Sequence, residues 1–188
     1  AASAVRVAES LRREHPDYTG EEDFNYFLSV IFCRDELQIL PYNRVVRDLN
    51  GLTPGDFLCR LEERFQITGC GGRQVSPAHR GEMGLYLCGD WYHLRVREEF
   101  RSADPVEGLD VSYLQKEVLT PILGIGDPRT DQRIDFVGGI RGLDELERRC
   151  RADMTAAFSL HATSMEELFA VADAGQMMPP KSTWFEPK

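Results

Sequence analysis

The sequence predicts an α+β fold built on a mixed sheet, and three observations predict it. Helical and strand periodicities both recur along the 188 residues. The middle third holds an antiparallel hairpin. The last third reads strand, helix, strand, helix, an order that favours some parallel pairing. With 42% hydrophobic and 28% charged residues, the composition is that of a folded chain. Its length suits a single α+β domain over 1–188.

The first helix is signalled by Ala4, Val5, Ala8 and Leu11 at three- and four-residue spacing, and His15-Pro16 ends it. Residues 25–32, NYFLSVIF, form a near-continuous apolar run of strand length and are expected as a buried central strand. Residues 37–46, LQILPYNRVV, read as a second strand broken at Pro41, which places it at a sheet edge or a bend. Thr53-Pro54-Gly55-Asp56 opens a helix whose apolar face is Phe57, Leu58, Leu61 and Phe65. Residues 69–79 are rich in Gly, Ser and Pro and read as a loop. The hairpin joins 85–88 to 91–97 through Gly89-Asp90, with Tyr92, Leu94 and Val96 on a buried face and His93, Arg95 and Arg97 on a wet one. Asp110 then caps a helix carrying Val111, Leu114, Val118 and Leu119. A short strand at 134–137, a polar helix at 143–151 and a strand at 155–160 follow. A capping box at Thr163-Ser164-Met165-Glu166 opens a last helix that Gly175 closes.

The net charge of −9 repels polyanions on average, so neither nucleic acid nor a membrane is an expected partner, whereas a local Arg/Lys pocket for a small anionic metabolite is compatible with it. No apolar run approaches the length of a membrane span. Five scattered cysteines without a CxxC pair point to reduced thiols and a cytoplasmic setting, and no His/Cys spacing supports a metal site. Ala1 is not Met, and the helical pattern begins at once without a cap. The sequence therefore reads as a fragment of a longer chain, lacking N-terminal and extreme C-terminal segments.

Three polar segments stand out. In PYNRVVRDLN (41–50), a strand puts Asn43 and Arg47 on one face and Arg44 on the other, so one guanidinium could enter a phosphate or carboxylate pocket; the plain alternative is an edge strand with solvated charges. In 125–142, Arg129, Arg133 and Arg141 and three aspartates, Asp135 among them, surround a strand ending in Gly138-Gly139. Those glycines would let a ligand approach the backbone, with Arg141 at the mouth; the alternative is an internal Asp–Arg network around a turn. Lys181-Ser182-Thr183 lacks the glycines of a P-loop, yet a lysine before two hydroxyls can hold an oxyanion, or form a polar kink before the last strand.

Taken together, YNRVVRDLNGL, RTDQRIDFVGGIRGL, HATSMEELFAVADAG and MPPKSTWFEPK, with HPDYTGEEDFNYFLSVIF before them, resemble the family known as domain of unknown function 1015. The resemblance implies a longer protein in which a DGHHR-type motif precedes the position of Ala1. That motif is similar to the signature of ParB/sulfiredoxin-like proteins, which include nucleotide hydrolases and a kinase of free serine. The implied activity is phosphoryl transfer or phosphate hydrolysis on serine or phosphoserine, with ATP or ADP and magnesium as cofactors. Arg44, Arg141 and Lys181 would neutralise phosphate, Asn43, Arg129, Ser182 and Thr183 would complete its binding, and Asp135 would orient a group or take a proton. A non-catalytic binding or regulatory module for an anionic metabolite is the alternative.

Overall fold

The computed structural model describes residues 2–188 and divides the chain into two compact units, residues 1–34 and 35–188. In the first, helix α1 (Ala2–Glu14) is followed by a 3-10 turn at Asp23–Asn25. The Arg12 guanidinium holds Asn25 Oδ1 at 2.9 and 2.6 Å and lies over the Tyr18 ring. The Glu22 carboxylate accepts from Thr19 N at 2.7 Å and Gly20 N at 2.9 Å, and these backbone donors hold it down at about 2. The run at 25–32 is not the buried strand its composition predicts. It has no strand partner among the described residues, and Leu28 and Ile31 are 93% and 91% exposed. Strand propensity expresses fit to a neighbouring pleated surface, and without that neighbour an apolar run stays irregular.

The second unit is built on two sheets. Strand β1 (Leu37–Leu40) pairs with β8 (Trp184–Pro187). The larger sheet has the order β3-β5-β4-β7-β2-β6, formed by β2 (Tyr42–Val46), β3 (Phe65–Gly71), β4 (Glu82–Leu87), β5 (Asp90–Val96), β6 (Ile134–Gly138) and β7 (Ala156–Leu160). Pro41 marks the bend where the chain passes from one sheet to the other, and β2 is an interior strand between β7 and β6. The α+β class is as predicted, but the mixed pairing is not. Every ladder among the described residues is antiparallel, and β6 and β7 run parallel only at one remove, each pairing with β2 between them. The helix between them, α4 (Gly142–Ala152), therefore makes a split crossover.

Both faces of the sheet are covered. On one, Val46, Met83, Leu85, Leu94 and Phe158 meet Phe57 and Leu61 of α2 (Pro54–Glu62) and Leu114 of α3 (Asp110–Leu114), which runs on into a π-helical turn at Gln115–Leu119. On the other, Val45, Tyr86, Trp91 and Ala157 meet Leu146 of α4. Each large apolar side chain so buried contributes about 2 kcal/mol. Thr53 caps α2, its Oγ1 accepting from Asp56 N at 3.1 Å, with Pro54 in the first turn.

Four local expectations shift. Phe65 begins β3, not the end of α2: the spacing of Phe57, Leu61 and Phe65 suits a helix, but over 65–68 burial alternates with period two. The hairpin turns on Cys88-Gly89, whose φ values of 53° and 93° suit a tight two-residue turn, because Leu87 pairs with Asp90. Trp91 is fully buried under α4, its Nε1 donating to Glu147 at 3.0 Å, so the face shared with His93 and Arg95 is wet only in part. The capping box of α5 (Met165–Asp173) is Ser164 with Glu167, one residue beyond the expected pair. No helix among the described residues is long and apolar enough to cross a membrane. All five cysteines are free.

Candidate anion site at the end of the sheet

Where β2 begins and β6 ends, the register sets Tyr42 opposite Gly138 and Arg44 opposite Phe136. Arg44 is 4% exposed. Its guanidinium lies over the Phe136 ring at 5.4 Å and donates to Tyr42 O and, at 2.9 Å, to Lys181 O. Both acceptors are neutral, and no carboxylate pairs with Arg44 among the described residues. Burial pulls the group down to about 9, with the field of Tyr42 opposing it, so it stays charged at neutral pH. A buried cation answered by carbonyls and an aromatic face, with no opposite charge, is costly and is relieved by an anion.

The second cation stands beside it. Lys181 is exposed, its Nζ 3.4 Å from Tyr42 Oη and over the same ring at 5.5 Å. Its backbone is left-handed, with φ 54°, a conformation costly for a side chain with a Cβ. Ser182 is buried, donates from Oγ to Pro179 O at 2.8 Å, and accepts Thr163 Oγ1 at its carbonyl at 3.2 Å. Thr163, displaced from the cap of α5, thus anchors the loop that carries Lys181. Thr183 follows, half-buried, before β8.

Gly138-Gly139 does permit close approach, but of the protein itself. A Cβ on Gly138 would lie 2.5 Å from the Trp184 ring, and one on Gly139 2.6 Å from Pro41. Trp184 also packs on Tyr42 at 5.4 Å. The glycines thereby seat the aromatic wall behind Arg44.

The remaining predicted residues lie apart from this corner in their bonding. Asn43 faces the opposite side of β2, buried, and its Oδ1 accepts from Leu160 N at 3.0 Å, extending the β2–β7 pairing. Asp135 accepts from Arg149 Nη1 at 2.9 Å and from Phe136 N at 2.8 Å. Arg129 is exposed and bonds Asp127 through Nε and Nη2 at 3.0 and 2.9 Å. Arg141 is exposed at the start of α4, 4.0 Å from Glu145. The polar strip at 127–135 is therefore a set of closed Asp–Arg pairs. No three His, Cys, Asp or Glu side chains converge on a metal position among the described residues.

A cleft of about 210 Å³, not foreseen from the sequence, opens between Arg80, Gly81, Arg101 and Asp110. Asp110 does not cap α3 with its side chain; its Oδ1 accepts from Gly81 N at 2.9 Å, and burial drives the carboxyl up to about 7 against that bond. Read as a cap, Asp110 gave no signal of this role. Arg80-Gly81, just past the loop read at 69–79, gave none either.

An α+β chain with a carboxylate-free cationic corner is thus the class that fold and site define. The chain belongs to the family described as Protein of unknown function (DUF1015), which it matches over residues 1–112. No curated protein sequence matches it. Among solved structures it is similar to free serine kinase in complex with AMP, at 13% identity and a TM-score of 0.49, over 81% of this chain and 55% of that one. A variant of the same kinase in complex with ADP gives 18% and 0.46 over the same shares. A conserved hypothetical protein from Pyrococcus furiosus gives 14% and 0.49 over 83% and 58%. The chain spans little more than half the length of these structures.

Proposed function

We propose that this chain supplies the anion-binding wall of an enzyme that transfers or hydrolyses a phosphoryl group on a small metabolite, serine or phosphoserine, with ATP or ADP as the nucleotide. One observation carries the reading: Arg44 is buried as a cation with no carboxylate partner. Lys181, exposed on the neighbouring loop, adds a second charge that an incoming phosphate would also meet. Phosphoryl transfer asks a protein mainly for positioning and for charge opposite the transferring oxygens, which is what a rigid guanidinium with a flexible ammonium offers. Magnesium would enter with the nucleotide, since it needs only one or two carboxylates beside the phosphates.

Asp135, the candidate base, is engaged with Arg149. That engagement favours the second reading, in which the same corner binds an anionic metabolite without turnover. Calorimetric titration of the full-length protein with phosphoserine separates these possibilities when combined with assays for serine-dependent consumption of ATP or ADP and for phosphate release from phosphoserine. Saturable binding with turnover supports the enzyme, and binding without it selects the module. Lys181→Ala, an exposed change, should weaken phosphoserine at least about 10-fold, and Arg44→Ala more. Wild-type affinity in Lys181→Ala would overturn the site.

A further inference from the structure

We propose that the cleft beside Gly81 binds a small α-amino acid, its ammonium group bonded to the Asp110 carboxylate and its carboxylate to the Arg101 guanidinium. Both protein groups abut one residue. Gly81 donates its N–H to Asp110 at 2.9 Å, and a Cβ on Gly81 would meet Arg101 Nη2 at 3.0 Å. Only glycine, here with φ +84°, lets that guanidinium lie against the backbone. Asp110 and Arg101 feel each other's field yet form no ion pair, the nearest partner of Arg101 being the exposed Glu98 at 3.4 Å. An α-amino acid carries its two charges on one carbon and its carboxylate, a spacing suited to bridging two groups that flank a single residue.

The other charges at the cleft are already answered. Arg80 donates to Gly108 O at 2.9 and 2.5 Å and pairs with Glu167 at 3.3 Å. Glu107 pairs with Lys116 at 2.6 Å. Asp110 alone is a buried carboxyl with one backbone donor and no cation in contact, which makes it the position where a ligand gains most. At about 210 Å³ the cleft is smaller than pockets for drug-sized ligands and suits a molecule of few heavy atoms. The class of ligand stands on the cleft alone; the phosphoryl-transfer reading enters only in making L-serine one of the probes.

The test is calorimetric titration of the protein, without nucleotide, with glycine, L-alanine and L-serine, and with ethanolamine and glycerate as serine analogues that each lack one charged group. At least one amino acid should saturate, and each one-charge analogue should bind at least about 10-fold more weakly than serine. Arg101→Ala, an exposed change that leaves the core intact, should remove the advantage of serine over ethanolamine. Asp110→Asn should remove its advantage over glycerate. No saturable binding of any amino acid, or wild-type serine affinity in Arg101→Ala, overturns the inference. Serine binding that persists in Lys181→Ala and without any turnover would count against the phosphoryl-transfer reading while leaving this cleft standing.

Discussion

The strip at 127–135 and the corner around Arg44 are both dense in polar residues, and they have opposite electrical characters. In the strip each aspartate is met by an arginine: Asp127 by Arg129, Asp131 by Arg133, Asp135 by Arg149. Nothing there is owed a partner. In the corner a buried guanidinium and a lysine meet carbonyls, aromatic rings and a phenol, but no carboxylate. The cleft is the mirror case, a buried carboxyl without a cation in contact. The lesson is that local charge density marks a structural network as readily as a site, whereas a buried charge left without its opposite marks a place where something else binds.

The largest test of that contrast concerns Asp110. Its folded value of about 7 lies above the ordinary 3.8, so the folded state holds a proton that the unfolded chain releases. Its contribution therefore favours folding below about pH 4 and is lost as the pH rises towards 7. Urea denaturation of wild type and Asp110→Asn across that window should show the difference between them swing by on the order of 4 kcal/mol. A flat difference would mean that Asp110 is paired after all.

Arg44→Ala comes next. It leaves the carbonyls of Tyr42 and Lys181 without their donor and opens a void beside Phe136. The loss should be about 3 kcal/mol, reduced by whatever desolvation the charge had cost. Added phosphate should raise the melting temperature of the wild type and leave that of the variant in place, since only a bound ligand stabilises the native state by mass action.

How much of this could be read beforehand follows from which interactions are local. The caps of α2 and α5, the turn of the hairpin and the stop at His15-Pro16 depend on a few adjacent residues, and they were legible to within one position. The burial of β2 was not, because it depends on β6 and β7, which lie about a hundred residues downstream. That same burial turned Arg44 from an edge-strand charge into a buried cation. The run at 25–32 failed for the converse reason: composition states that a segment can be buried, not that a partner strand is present. Of the site, Arg44 and Lys181 were named from their residue types, but their meeting through Tyr42 was invisible, and Asp110 was hidden by its resemblance to a cap.

Gly138→Ala tests the wall behind the corner. A methyl group 2.5 Å from the Trp184 ring forces the indole or the strand to move, at a cost of about 2 kcal/mol. Because Trp184 follows Lys181 by three residues, its displacement should also weaken phosphoserine binding and change the tryptophan fluorescence. A stable variant with unaltered fluorescence would show that the indole does not sit where Gly138 admits it.

Arg129→Ala should have the smallest effect, and it is the control on the other half of the comparison. Arg129 is exposed and its bonds go to Asp127, two residues away. An exposed, sequence-local pair adds little to folding, so the denaturation midpoint should not move measurably, and phosphoserine affinity should be that of the wild type. The change should be visible only at Asp127. Its carboxyl is held at about 2, first by the Arg129 side chain and then by the Arg129 backbone N–H. Removing the guanidinium should let it rise part of the way to the ordinary value, as followed by its titration in NMR spectra. A loss of affinity here would place the strip back among the binding elements, and a balanced network would then no longer distinguish structure from site.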